Sequence, residues 1–71
     1  MQTGAIRRII RDRGFGFIKV ADVQQDLFFH VSELHGVTFD LLKEGQNVEF
    51  KIGVGPKGLK AANVRLAKVK N

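Results

Sequence analysis

The chain has 71 residues, no cysteine, and 12 lysines and arginines against 7 acids, for a formal net charge of +5. That length suits a single domain with a small core, here 1–71, and the missing thiols exclude disulfides and cysteine metal sites. No apolar run approaches a membrane span, and Met1 to Ile10 lack the apolar stretch of a secretory signal, which predicts a mature N-terminus in the cytoplasm.

Gly4 to Arg11 reads as a first strand with Ile6, Ile9 and Ile10 as its apolar contributors. Strict alternation would turn Arg8 inward with Ile6 and Ile10, so a bulge near Arg7–Ile9 is predicted. Asp12-Arg13-Gly14 is the turn, and Phe15 to Val20 is the second strand. There Phe15 and Phe17 point to one face and Ile18 to the other, with Gly14 and Gly16 expected to leave both rings open. Ala21 to Gln25 is a polar connection, and Asp26 to Val31 is the third strand. In it Leu27 and Phe29 suit the core, whereas Phe28 and His30 share the opposite face. Ser32 is predicted to cap a short helical turn through Leu34.

From His35 to Gly45 the pattern reads as a loop with one helical turn, carrying Phe39, Leu41 and Leu42. Val48, Phe50 and Ile52 then alternate with Asn47, Glu49 and Lys51 as a clear fourth strand. Gly53 to Gly58 is expected to be a flexible turn from which Lys57 and Lys60 reach phosphates. Ala61 to Leu66 returns as the fifth strand, and 67–71 is a basic tail expected to fray. Five short strands with no room for amphipathic helices predict an all-β fold, a small closed barrel.

Charge is distributed unevenly along this pattern. Residues 1–13 hold Arg7, Arg8, Arg11 and Arg13 against Asp12, a net of +3. Residues 14–56 carry three lysines against six acids, a net of −3, and residues 57–71 carry five cations and no acid. Positive ends beside aligned exposed rings suit a polyanion with unpaired bases that stack on aromatics. Catalysis finds no support: His30 and His35 have no cysteine or carboxylate constellation around them, so neither a metal nor another cofactor is expected. Gly53–Gly58 lacks the spacing of a phosphate loop.

Arg13-Gly14-Phe15-Gly16-Phe17-Ile18 followed by Leu27-Phe28-Phe29-His30-Val31 resembles the two nucleic-acid motifs of the bacterial cold-shock domain. Thr3-Gly4, Glu44-Gly45-Gln46, Lys57-Gly58 and Asn63-Val64 fall in register with that family, so the likeness covers nearly the whole chain. The resemblance implies a five-stranded antiparallel barrel of the OB class, binding single-stranded RNA or DNA in an RNA-chaperone or cold-shock stress-response role. It implies stacking on Phe15, Phe17 and Phe28, with His30 beside them and Phe39 extending the platform. Arg7, Arg8, Arg13, Lys19 and Lys57 would meet phosphates. No membrane, small-molecule substrate or enzymatic activity is implied, and a monomer is expected, with a dimer as the alternative. The family usually has tryptophan at Arg8, an aromatic at Ile9, asparagine at Ile10 and an aromatic at Val31.

Two other readings compete. The first motif alone also fits an RRM, but that fold needs two helices and places its other aromatic strand earlier. Arg8, Ile9 and Ile10 alternatively form a sticky edge, which would suit a protein-interaction barrel with weakened nucleic-acid binding.

Overall fold

The computed structural model describes residues 2–21, 23–56 and 58–67. Its strands are β1 (Gln2–Ile10), β2 (Phe15–Lys19), β3 (Leu27–His30), β4 (Asn47–Gly55) and β5 (Gly58–Leu66). They close into one barrel in the order β1-β2-β3-β5-β4. All pairings are antiparallel except β3 with β5, which meet through Phe28 and Lys60. A ring of five strands cannot alternate direction at every step, so one parallel contact is required for closure. The expected antiparallel barrel is therefore present, with its single exception set by the odd strand number.

The first strand bulges where the sequence demands it. Ile6 pairs with Ile18 and Arg8 with Phe17, leaving Arg7 as the extra residue on β1. Without it, Arg8 would share the inner face with Ile6. With it, Ile6 and Ile9 both turn toward the core, while Arg7 and Arg8 stay exposed. Of the edge formed by Arg8, Ile9 and Ile10, Ile9 is therefore half-buried against the core, while Ile10 stays on the outer side opposite Phe15.

The core is continuous through the barrel. Ile6, Ile18, Val20, Leu27, Phe29, Val48, Phe50, Ala61 and Val64 come from the strands and their ends, and Leu42 plugs in from the long loop. Two further features differ from the sequence reading. Gly53 to Gly58 is not a loose loop: β4 and β5 pair as far as Gly55 opposite Gly58, so both strands run further than the sequence suggests. The Lys60 side chain runs alongside Gly53 and Gly55, 3.4–3.9 Å from where their Cβ atoms would be, an ordinary contact distance. Secondly, Ser32 does not cap the turn after β3. His30 does, its Nδ1 accepting the Ser32 backbone N–H at 3.1 Å, with Ser32 inside the 3₁₀ turn Val31–Glu33.

A second bulge lies on β5, where Asn63 takes φ +52 between the Glu49–Arg65 and Lys51–Ala62 pairs. Asparagine tolerates this left-handed conformation better than most side chains. The Asn63 N–H donates to Glu33 Oε1 at 3.2 Å, so the turn after β3 is fastened to β5. Arg11 fastens the long loop from the other side, donating to the carbonyls of Phe39 at 3.2 Å and Leu42 at 2.7 Å. The tail from Lys68, which carries most of the expected fraying segment, lies outside the described residues, as do Met1, Asp22 and Lys57. No helix among the described residues is long and apolar enough to cross a membrane.

Candidate nucleic-acid interface

Pairing register assembles two rows of side chains on the outer face of β1, β2, β3 and β5. Cross-strand partners point to the same side of a sheet. One row therefore runs Arg8–Phe17–Phe28–Lys60, and the other Ile10–Phe15–His30. Three phenylalanines stand together at the centre, bracketed by a cation at each end of the first row. Beneath them, Ile18, Leu27 and Phe29 have essentially no solvent exposure, as parity requires.

The rings are grouped but not laid flat. Phe15 and Phe17 meet edge to face at 5.8 Å between centroids, and Phe17 meets Phe28 edge to face at 6.1 Å. Phe15 and Phe28 are tilted by 40° at 5.3 Å. Each ring shields part of its neighbour, leaving Phe15 and Phe17 half-buried and Phe28 37% exposed. The platform is thus stepped, and its rings hold one another in position before any base arrives.

The glycines do not act as expected. Gly16 lies between Phe15 and Phe17 in sequence, so its missing side chain would point inward. A Cβ there would stand 2.6 Å from the Arg8 carbonyl and 2.7 Å from the Phe29 ring. Gly16 is bare because Phe29 packs beneath it, and openness of the outer rings is a separate matter. Gly14 serves the turn: it closes the 3₁₀ segment Arg11–Arg13 in the left-handed region at φ +74.

The basic residues fall into distinct places. Arg7 pairs with Asp26 at 3.2 Å, joining the β1 bulge to the residue just before β3. Arg8 has no hydrogen bond or ion pair among the described residues, although it sits opposite Phe17. Arg13 is exposed in the turn, and Lys19 is exposed opposite Ala5 on the ring-bearing parity of β2. His30 is exposed, its Nδ1 engaged by the N–H and hydroxyl of Ser32, which leaves Nε2 for a ligand. Phe39 is half-buried against the core and makes no ring contact with the three phenylalanines among the described residues. Lys57 is outside the described residues.

Sequence reasoning missed Ile10 and the Asp26 corner as parts of this face. Both follow from the bulge, since only its exact position decides which residue of β1 lies opposite Phe15 and which arginine meets Asp26. No group of three or more histidines and acids among the described residues is placed to hold a metal ion.

A closed five-stranded barrel with a ring platform on β2 and β3 is a domain of the OB class. The family model described as 'Cold-shock' DNA-binding domain matches residues 2–67. The chain belongs to the cold-shock domain family, whose members are non-enzymatic binders of single-stranded nucleic acid. It is 43% identical over 65 residues to probable cold shock protein A of Mycobacterium tuberculosis, covering 92% of this chain and 97% of that one. It is 48% identical over 61 residues to cold shock-like protein CspC of Escherichia coli K12, covering 86% and 88%. The solved structure of drosophila Unr CSD456 is similar with a TM-score of 0.76 and 25% identity over 94% of this chain. This chain spans only 26% of that one.

Proposed function

We propose that the protein holds unpaired RNA or DNA strands on the Phe15–Phe17–Phe28 platform and so acts as a cytoplasmic RNA chaperone. The observation that carries this reading is the first cross-strand row, in which two rings lie between Arg8 and Lys60. Bases stack on the rings, and the cations meet the backbone that links them. Stacking is available to every base, so sequence demand is low. His30 flanks the platform through Nε2, and Phe39 extends it at the loop. Arg8, Arg13, Lys19 and Lys57 contact phosphates. Arg7 contributes less than Arg8, because Asp26 already holds its guanidinium.

Function follows by mass action. Whatever binds only the open form of a weak hairpin shifts that hairpin toward the open form, with no need for ATP. The protein acts as a monomer in this scheme.

Anisotropy of a labelled pyrimidine-rich oligonucleotide, titrated at several salt concentrations, tests the reading. Binding is expected to favour the single strand over its duplex. The log–log salt slope should change by about −0.7 for each phosphate neutralised. A flat salt response, or tighter duplex binding, would overturn it.

A further inference from the structure

The two arginines of the β1 bulge are adjacent in sequence and differ in state. Arg7 is held by Asp26, whereas Arg8 stands opposite Phe17 in the strand register and has no hydrogen bond or ion pair among the described residues. Between them is an open hollow at the edge of the platform, lined by Arg7, Arg8, Phe17, Gln25 and Asp26. The hollow offers a ring wall, a free donor fork and a carboxylate. Arg7 engages Asp26 through Oδ2, leaving Oδ1 as an acceptor among the described residues.

We propose that Arg8 makes this face select guanine, so that strands with an unpaired G are bound in preference to uniform pyrimidine strands. The inference rests on the single-strand reading above and adds a base preference to it. A base lying on Phe17 projects its edge along the row toward β1, and opposed residues on paired strands have Cβ atoms about 4.5–5.5 Å apart. An arginine side chain spans that gap and places its fork near the plane of the base. Guanine offers two adjacent acceptors, O6 and N7, which match the fork. Adenine places the N6 donor beside N7, and uracil places the N3–H donor between O4 and O2, so neither offers two adjacent acceptors; cytosine offers O2 and N3 but has the smaller stacking surface of a pyrimidine. Guanine also carries donors, N1–H and the N2 amino group, suited to a carboxylate acceptor such as Asp26. Lys60, at the far end of the same row, is a point charge without a fork, so the selectivity belongs to the β1 end.

The test uses fluorescein-labelled RNA heptamers of uridine with U, G, A, C or 7-deazaguanine at the centre, measured by anisotropy at one salt concentration. The 7-deaza base keeps the stacking surface of guanine and loses the N7 acceptor. The full-length protein is expected to bind the G-centred strand about ten-fold tighter than the all-U strand, an order of magnitude typical of one bidentate pair. Replacement by 7-deazaguanine should remove most of that gain. Arg8→Lys keeps the charge and loses the fork, so the G-to-U ratio should fall toward one even though strands still bind. Equal affinity for G- and U-centred strands, a preferred C or A, or a G preference that survives either 7-deazaguanine or Arg8→Lys, overturns the inference and leaves the single-strand reading standing. Failure of every heptamer to bind overturns both.

Discussion

Phe28 and Phe29 are neighbours of one residue type on one strand, and they do opposite things. Phe29 has no exposure and packs under Gly16, whereas Phe28 stands 37% exposed against Phe15 and Phe17. The same contrast divides the three strands β1–β3 as a whole. Their inner face holds Ile6, Ile18, Leu27 and Phe29, and their outer face holds Arg8, Phe15, Phe17, Phe28 and His30. Composition cannot explain the division, since phenylalanine is equally apolar on both sides. Strand parity decides it, and the Arg7 bulge keeps the parity consistent across β1. The lesson is that a sheet this small keeps stability and binding on separate surfaces only 1 residue apart in sequence.

The largest effect should come from the inner face. Phe29→Ala removes a fully buried ring from a small core and is expected to cost about 3–5 kcal/mol. On a domain of this size that loss approaches the total stability, so far-ultraviolet circular dichroism should show little or no cooperative urea transition. Retention of near-normal stability would break the contrast at its root.

The outer face should respond in the other currency. Phe17→Ala and Phe28→Ala are each expected to weaken single-strand binding by about 1–3 kcal/mol, at least roughly five-fold, as titrations of a labelled strand would read. Their cost to folding should stay below about 1.5 kcal/mol, the size of an aromatic pair contact. Should either variant unfold like Phe29→Ala, the platform would be a second core and no binding surface.

Gly16→Ala sharpens the comparison from between the faces. Its Cβ would meet the Arg8 carbonyl at 2.6 Å and the Phe29 ring at 2.7 Å, and the carbonyl belongs to the bulged backbone. Overpacking of this kind costs about 1–3 kcal/mol, so the urea midpoint should fall. An alanine tolerated without loss would mean that Phe29 can withdraw, and that Gly16 serves the outer rings after all.

The smallest effect belongs to the strap between Arg7 and Asp26. Their side chains are 55% and 33% exposed, so a double-mutant cycle with alanine should give a coupling of about 0.2–1 kcal/mol. That coupling should shrink as salt is raised. A larger, salt-insensitive value would show that the ion pair sets the bulge and, through it, the placement of Arg8.

Much of this was legible in the chain itself. Alternation in Phe15–Ile18 and Leu27–His30 placed each of those residues on its correct face, because side chains on a strand obey a period of two regardless of what lies around them. The misfit of Ile6, Arg8 and Ile10 announced a bulge for the same reason. The role of Gly16 is not legible, since a missing side chain carries no sign of which neighbour fills its space. Gly53 and Gly55 carry a turn signal although they are strand, because glycine weakens a strand pattern and here the Lys60 stem lies over them from the partner strand. Ser32 has the chemistry of a cap, yet the chain path after β3 brings the His30 ring to the free N–H of Ser32 itself.

The amino-acid sequence by itself therefore determined the strands, the inward and outward sets on β2 and β3, the need for an extra residue in β1, and the family. The faces and the bulge are local properties, set by the period of two along a strand, whereas the family follows from motifs spread along nearly the whole chain. Only the tertiary structure decided that Arg8, Phe17, Phe28 and Lys60 form one row, that Arg7 and not Arg8 is taken by Asp26, and that Ile9 packs against the core. Each of these depends on register between strands distant in the chain, and register is fixed by the closure of the barrel around its core.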